Sequence, residues 1–478
     1  MSRDELRFSK ALRHIFEGLR AGLTRFSGPS RVALLYALSP QDDVRIYDPL
    51  NLLRGHEPKL LELYGTPPWP GCGTTAALDG FFPCPDPELS GIIAFGARSP
   101  QLPLQVWFTE HHPDMCSTEP TIRWLEEACR LMTQTLQHPN QNLESAGFVL
   151  QEFALHAVRD AIVDERNLSI GPDSRLRVYA ALGAILEISK TREEGRYPQG
   201  DMAFVEPDLA DTVHYLAKFA PQERPLLQDT KHVRKLLQAV EGTRHRLVCD
   251  GTHIIGIGAG RLPDYSLLTE FRGQHGFVIL QDQKICSFAD GSFHSTTREP
   301  ILVALEEALV EMRFPAHQMY GIMRTVLEIV KSAQEHKHGC ALILDYGTPL
   351  APISGQHLVT PLNLRRLVEL ELAKALAKVD GALHIDIRTL RLTAFATLMD
   401  GAAVPGENRA RGARYNSALR FTAEHPDLFV VVVSSDRPIS IIQHGTELAA
   451  RCDWQPAIRM GFALPRLRDW AAMPTPAR

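Results

Sequence analysis

The sequence lacks any run of roughly eighteen consecutive apolar residues, so no membrane-spanning helix is expected. It lacks an apolar leader. The chain opens Met-Ser-Arg-Asp-Glu-Leu-Arg with no cleavage-site pattern, and no signal peptide is expected. It lacks a Cys-x-x-Cys pair: the eight cysteines stand at 72, 84, 116, 129, 249, 286, 340 and 452. That spacing excludes the common zinc and dithiol motifs and reads as reduced thiols of a cytoplasmic protein. It lacks a basic excess. Lys and Arg number 51 against 56 Asp and Glu, a net charge of −5, so a dedicated nucleic-acid-coating protein is excluded and no specific nucleic-acid binding is evident. Polar excess is missing too: 44% hydrophobic and 22% charged residues exclude a largely disordered chain. What remains is a core-forming chain of 478 residues, long enough for two to four domains at about 100–200 residues each.

The chain reads as α/β throughout, in three α/β modules, because helical and strand periodicities alternate along it. Residues 1–140 form the first module. Leu12, Ile15, Phe16, Leu19 and Leu23 recur at helical spacing, with Lys10, Arg13 and Arg20 between them. Such a basic amphipathic helix packs on its own domain or a partner more often than on a membrane. Apolar runs at 32–38, 91–95 and 104–108 predict strands, and 120–136 a helix, an arrangement of the GAF or PAS sensor kind. Residues 141–312 form a second sensor-like module, opening on one long helical pattern over 148–162. Residues 313–450 form the third, and 451–478 a surface tail with prolines. The second module echoes the third: Arg244-His245-Arg246-Leu247-Val248-Cys249 against Lys337-His338-Gly339-Cys340-Ala341-Leu342, which suggests a degenerate repeat.

Three clusters imitate chemistry. His111, His112, Asp114 and Cys116 sit in a Pro-containing loop without a second ligand pair, and read as a polar turn. Gly256-Ile257-Gly258-Ala259-Gly260 follows a strand but opens no helix, and reads as a turn or an edge. Gly242-Thr243-Arg244-His245-Arg246 precedes its strand, the wrong place for a phosphate grip.

The informative stretch is 380–436. It holds Asp380-Gly381-Ala382, then Arg409 and Arg411-Gly412-Ala413-Arg414-Tyr415-Asn416-Ser417-Ala418, then Val431-Val432-Val433-Ser434-Ser435-Asp436. In this order it resembles the diadenylate cyclase (DAC, or DisA_N-like) family, which joins two ATP molecules into the second messenger cyclic di-AMP. The family carries D-G-A after a buried strand, G-T-R-H-R-A-A at a helix start, and a strand followed by V-S-E-E. The resemblance covers about the last third of the chain and implies a mixed sheet flanked by helices. It implies Asp380, Gly381, Ala382 and Arg414 as catalytic residues. Arg411, Gly412, Ala413, Tyr415, Asn416, Ser417 and Ser434 are then nucleotide-binding, and Asp380 is the ligand of Mg2+ or Mn2+. ATP is the implied substrate, a homo-oligomer with face-to-face sites the implied assembly, and the N-terminal modules the receivers of an unknown signal.

The chemistry suits these residue types. Phosphoryl transfer rests on positioning and charge neutralisation. A helix N-terminus offers free N–H groups to phosphate, arginine grips it bidentately, and a strand-end aspartate binds a divalent ion or polarises a hydroxyl. The chain departs from the family at Ala413, Tyr415 and Asn416, which replace Thr, His and the second Arg, and at Ser435-Asp436, which replace paired glutamates. Arg409 and Arg411 are placed to restore charge. The departures leave open an inactive nucleotide-binding pseudo-cyclase, or a regulatory scaffold without nucleotide.

Overall fold

A computed structural model of the chain describes residues 3–70, 81–137, 143–171, 174–192, 196–273, 275–289, 291–297, 302–336, 338–404, 407, 412–434, 439–448 and 464–473. Three sheets follow one another along the sequence, of five, eight and seven strands, with helices packed on them.

The opening helix Arg3–Ser27 buries the expected stripe: Leu12, Ile15, Phe16, Leu19 and Leu23 are all within 1% of complete burial. It lies against helices Glu119–Gln137 and Leu143–Gln151. The first sheet is antiparallel and runs Arg45–Tyr47, Val32–Ala37, Leu104–Glu110, Ile92–Arg98, Phe82–Cys84. The single helix expected over 148–162 is two helices, Leu143–Gln151 and Ala154–Ile170. Phe153 stands at the break and packs edge-on against Trp124. Apolar spacing continues across the interruption, which is why periodicity conceals it.

The second sheet has one parallel pair, Gln199–Phe204 with Arg246–Cys249. Gly256 and Gly258 lie in strand Ile254–Gly258 against edge strand Tyr215–Lys218. Strands Arg246–Cys249 and His275–Leu280 are separated by two others. Their echoes in the third module, Cys340–Asp345 and Ala382–Asp386, are direct neighbours.

The third sheet is mixed. Its order is Gln356–Asn363, Arg391–Thr397, Ala382–Asp386, Cys340–Asp345, Leu428–Val433, Ser440–Gln443, Thr446–Glu447, with only the 340–345 and 382–386 strands parallel. Strand alternation gives it two apolar faces. Leu342, Leu344, Leu383, Ile385 and Val431 face helix Ala316–Glu335. Ala341, Ile343, Ala382, Val430 and Val432 face helix Ala413–Glu424 through Ala418, Leu419 and Phe421.

Two junctions tie this sheet's module to the first one. Buried Arg31 bonds Glu110 through Nε at 2.5 Å and the Phe314 carbonyl at 2.7 Å. Buried His112 bonds Glu306 on helix Val303–Glu311, which packs through Leu305 and Leu309 into this sheet's core rather than into the second module. The C-terminal segment supplies the second junction and corrects the expected surface tail. Residues 464–473 dock on the first module: Leu467 N–H donates to Val44 O, Ile46 N–H to Pro465 O, and the Arg54 guanidinium stacks on Trp470 at 4.2 Å. Leu467 and Trp470 are buried at 2% and 5% exposure, an apolar pair whose burial outweighs the prolines around it.

Candidate nucleotide site

Of the expected site residues, Asp380, Gly381, Ala382, Gly412, Arg414 and Ser434 gather at one end of the third sheet. Parallel strands 340–345 and 382–386 both begin there, and antiparallel strand 428–433 ends there, with Ala341 opposite Ala382 and Cys340 opposite Val433. Asp380 and Gly381 enter one strand, and Ser434 leaves another.

Gly381 has φ +110°, and a β-carbon on it would lie 2.6–3.0 Å from the backbone of Ala396 and Thr397. Only glycine fits that conformation and that gap. Ala382 is fixed behind it, its carbonyl accepting from Thr397 Oγ1 at 2.8 Å. Asp380 is thereby held at the strand mouth with its side chain 95% exposed.

Gly412, at φ +90°, stands before helix Ala413–Glu424 and has open space where a side chain would be. Gly412, as the residue before the helix, offers no capping side chain to the first-turn N–H groups. From the first turn Arg414 reaches back, and its Nη2 meets Asp380 Oδ1 at 2.9 Å. An arginine, a helix N-terminus and a carboxylate thus share one edge, an arrangement suited to a triphosphate.

The remaining expected residues are placed differently. The Tyr415 hydroxyl donates to Glu447 at 3.1 Å, on the last strand. Asn416 Nδ2 donates to the Gly412 carbonyl at 3.2 Å and so bonds its own helix start. Ser417 is half-buried on the next position. Arg409, Arg411, Ser435 and Asp436 lie outside the described residues.

Gly339 joins the site without having been expected there. A β-carbon on Gly339 would lie 2.9 Å from Arg414 Nη1, so the guanidinium rests over this glycine. The parallel register supplies the signal that finds it. Counting back two residues from the Ala341–Ala382 pair sets Gly339 beside Asp380. Among the described residues, no three His, Cys, Asp or Glu side chains converge as a metal cluster, including the 111–116 loop. Nor is any described helix long and apolar enough to cross a membrane.

Comparisons with known proteins match three segments of the chain. Residues 328–447 match the family described as DisA bacterial checkpoint controller nucleotide-binding, or DAC. Residues 7–172 match "Probable sensor domain DACND" and residues 179–286 "Probable sensor domain DACNH". No curated protein matches the chain. Among solved structures, a double mutant of DacA from Staphylococcus aureus is 18% identical, covering 26% of this chain and 82% of that one, with a TM-score of 0.21. A hypothetical membrane spanning protein from Bacillus cereus is 13% identical, covering 30% and 74%, also with a TM-score of 0.21. The chain is therefore a DAC-domain protein, its DisA-type nucleotide-binding domain carried behind two domains of the probable sensor kinds DACND and DACNH.

Proposed function

We propose that the protein is a diadenylate cyclase whose activity the two N-terminal domains regulate. The reading is carried by one observation: Arg414, the open N-terminus of helix Ala413–Glu424 and Asp380 meet at one sheet edge within a DAC-matching domain. Each ATP offers its 3′-hydroxyl to the α-phosphorus of the other. Two P–O bonds form, two pyrophosphates leave, and two hydroxyl protons are released. Arg414, the first-turn N–H groups and Ser434 hold phosphate oxygens, and Arg411 adds charge from the loop before the helix. Asp380 orients the attacking hydroxyl. Gly381 and Ala382 fix its position.

Mg2+ or Mn2+ fits the same carboxylate. The exposed Asp380 carboxylate is the described side chain that would hold the ion. When bound, it neutralises triphosphate charge. The protein acts in the cytoplasm, as an assembly in which two such edges face each other.

Incubation with ATP and Mg2+ or Mn2+, followed by chromatography, is expected to yield cyclic di-AMP. A folded, assembled protein that gives no product at any concentration overturns the reading. A specific observation favours the rival, a pseudo-cyclase that binds nucleotide without turnover. Tyr415 and Asn416 are engaged with Glu447 and Gly412 rather than presented to the opening. Calorimetry showing ATP binding without product supports that rival.

A further inference from the structure

Helix Ala316–Glu335 of the nucleotide-binding domain opens on a seam with the first module, and its first residues lie on two glycines of that module. A β-carbon on Gly91 would lie 2.9 Å from Tyr320 Cβ and 3.2 Å from His317 Cα. A β-carbon on Gly55 would lie 2.7 Å from His317 Nδ1, so the imidazole rests on that glycine. Both glycines have positive φ, +75° at Gly91 and +91° at Gly55, and only glycine lets the helix come this close. Ala316 is buried in the first module's own apolar cluster.

Two histidines meet at this seat, one from each side. The His56 and His317 rings stand edge to face with 5.3 Å between centroids. One nitrogen of each ring, His56 Nε2 and His317 Nδ1, is closed to solvent and has no hydrogen-bond partner among the described residues. A neutral imidazole carries one N–H, so its shielded nitrogen can stay bare. Protonation puts N–H on both nitrogens. Each ring would then bury a donor without an acceptor, and two cations would face each other across the same 5.3 Å. The seat therefore favours two neutral rings.

The charges around the pair act in the same sense. Burial is the main cause that lowers the proton affinity of both rings, with His317 adding to it at His56 and Arg365 at His317. Glu57 and the carbonyls of Ser90 and Arg54 pull the other way and are outweighed. His111, whose ring lies 5.2 Å from Tyr320 on the same helix, is lowered by burial and by His112. Farther along the seam, His112 beside Glu306 keeps its proton to about 9, and burial pushes Asp114 up to about 6.

We propose that the His56–His317 contact is a proton-operated catch between the first module and the nucleotide-binding domain. It holds helix Ala316–Glu335 on its glycine seat near neutral pH and releases it on acidification. The helix packs on Leu342, Leu383 and Val431, in the strands whose ends form the nucleotide edge, so its seating bears on that edge. Protons are then an input to the domain, besides any signal that the first two modules receive.

The test is hydrogen exchange of the full-length chain without nucleotide, followed over residues 314–324 between about pH 7.5 and 5.5, for wild type and H56Q/H317Q. Glutamine keeps a donor and an acceptor but does not titrate. Each proton taken up on opening, by a group with an ordinary value near 6.5, favours the open state about tenfold over that interval. Corrected for intrinsic exchange, wild type is expected to lose about 10- to 100-fold more protection than the double variant. His111 and Asp114 are present in both proteins and cancel. Equal losses in the two proteins overturn the catch. Where the double variant is already unprotected near pH 7.5, H56Q and H317Q are compared singly. Each is expected to lose less protection on acidification than wild type, and losses equal to wild type in both overturn the catch. No nucleotide is present, so the result stands whether or not the protein makes cyclic di-AMP.

Discussion

At the scale of single residues, the site is held by backbone shape more than by side-chain bonds. Gly381 has both a positive φ and backbone atoms within 3.0 Å of any added β-carbon. Gly381→Ala is therefore expected to destabilise the domain by about 1–3 kcal/mol, read as a lower denaturant midpoint, because the strand pair must part or the residue must sit strained. Arg414 differs in kind. Its ion pair with Asp380 is exposed, at 44% and 95%, and such pairs add little to folding. Arg414→Ala should leave the unfolding midpoint nearly unchanged. It should lower cyclic di-AMP formation about 10- to 100-fold, the worth of one charge-assisted phosphate contact. A large fall in stability with normal turnover would reverse these roles. The Asp-Gly-Ala and Arg-Gly-Ala-Arg motifs were legible because they depend on residue type in order. Gly339 was not, because nothing local to Lys337-His338-Gly339 shows that a parallel strand 41 residues later will start beside it.

At the scale of elements, legibility followed burial on one or two faces. Strand Ala382–Asp386 and the helix within residues 3–27 are regular patterns, and both form where the pattern lies. Strand Gln356–Asn363 escapes such a reading. It is a sheet edge, exposed over much of its length and carrying Pro361, so no alternation is imposed on it. The C-terminal helix Leu467–Ala472 escapes for another reason. Its partners, Val44, Ile46 and Arg54, lie more than 400 residues away in sequence. The junction at His112 carries a pH prediction. Burial works against its charge, but the Glu306 carboxylate prevails, with Glu110 and Asp114 adding to it, and holds the imidazolium to about 9. A histidine raised in the folded state contributes stability fully below its unfolded value near 6.5. That stability is lost as pH rises through about 9. Asp114, pushed up to about 6 by burial and Glu306, titrates below that window. Wild type is expected to lose stability between about pH 6.5 and 9 relative to His112→Gln, measured by chemical denaturation in matched buffers. Parallel curves for the two proteins would remove the ion pair from the account.

At the scale of the whole molecule, the tethering of the nucleotide-binding domain bears on how it must work. It is fixed to the first module before its first strand, through Phe314 and Glu306, and after its last, through Leu467 and Trp470. Its site edge is nonetheless a single copy: one Arg414, one Asp380, one helix N-terminus. Cyclic di-AMP contains two equivalent phosphodiester bonds, so making it requires two nucleotides held head to tail, each presenting its hydroxyl to the other. One edge places one triphosphate. If the protein is a diadenylate cyclase, the second comes from another chain, so turnover is expected to depend on encounter and ATP binding is not. Specific activity per chain should rise with protein concentration until assembly is complete and then level off. The ATP dissociation constant should stay the same across that range. Sedimentation at each concentration ties the rise to the oligomer. Constant specific activity from a protein that sediments as a monomer throughout would mean that a single chain completes the ring. A second nucleotide site would then have to exist within this chain, away from the Asp380–Arg414 edge.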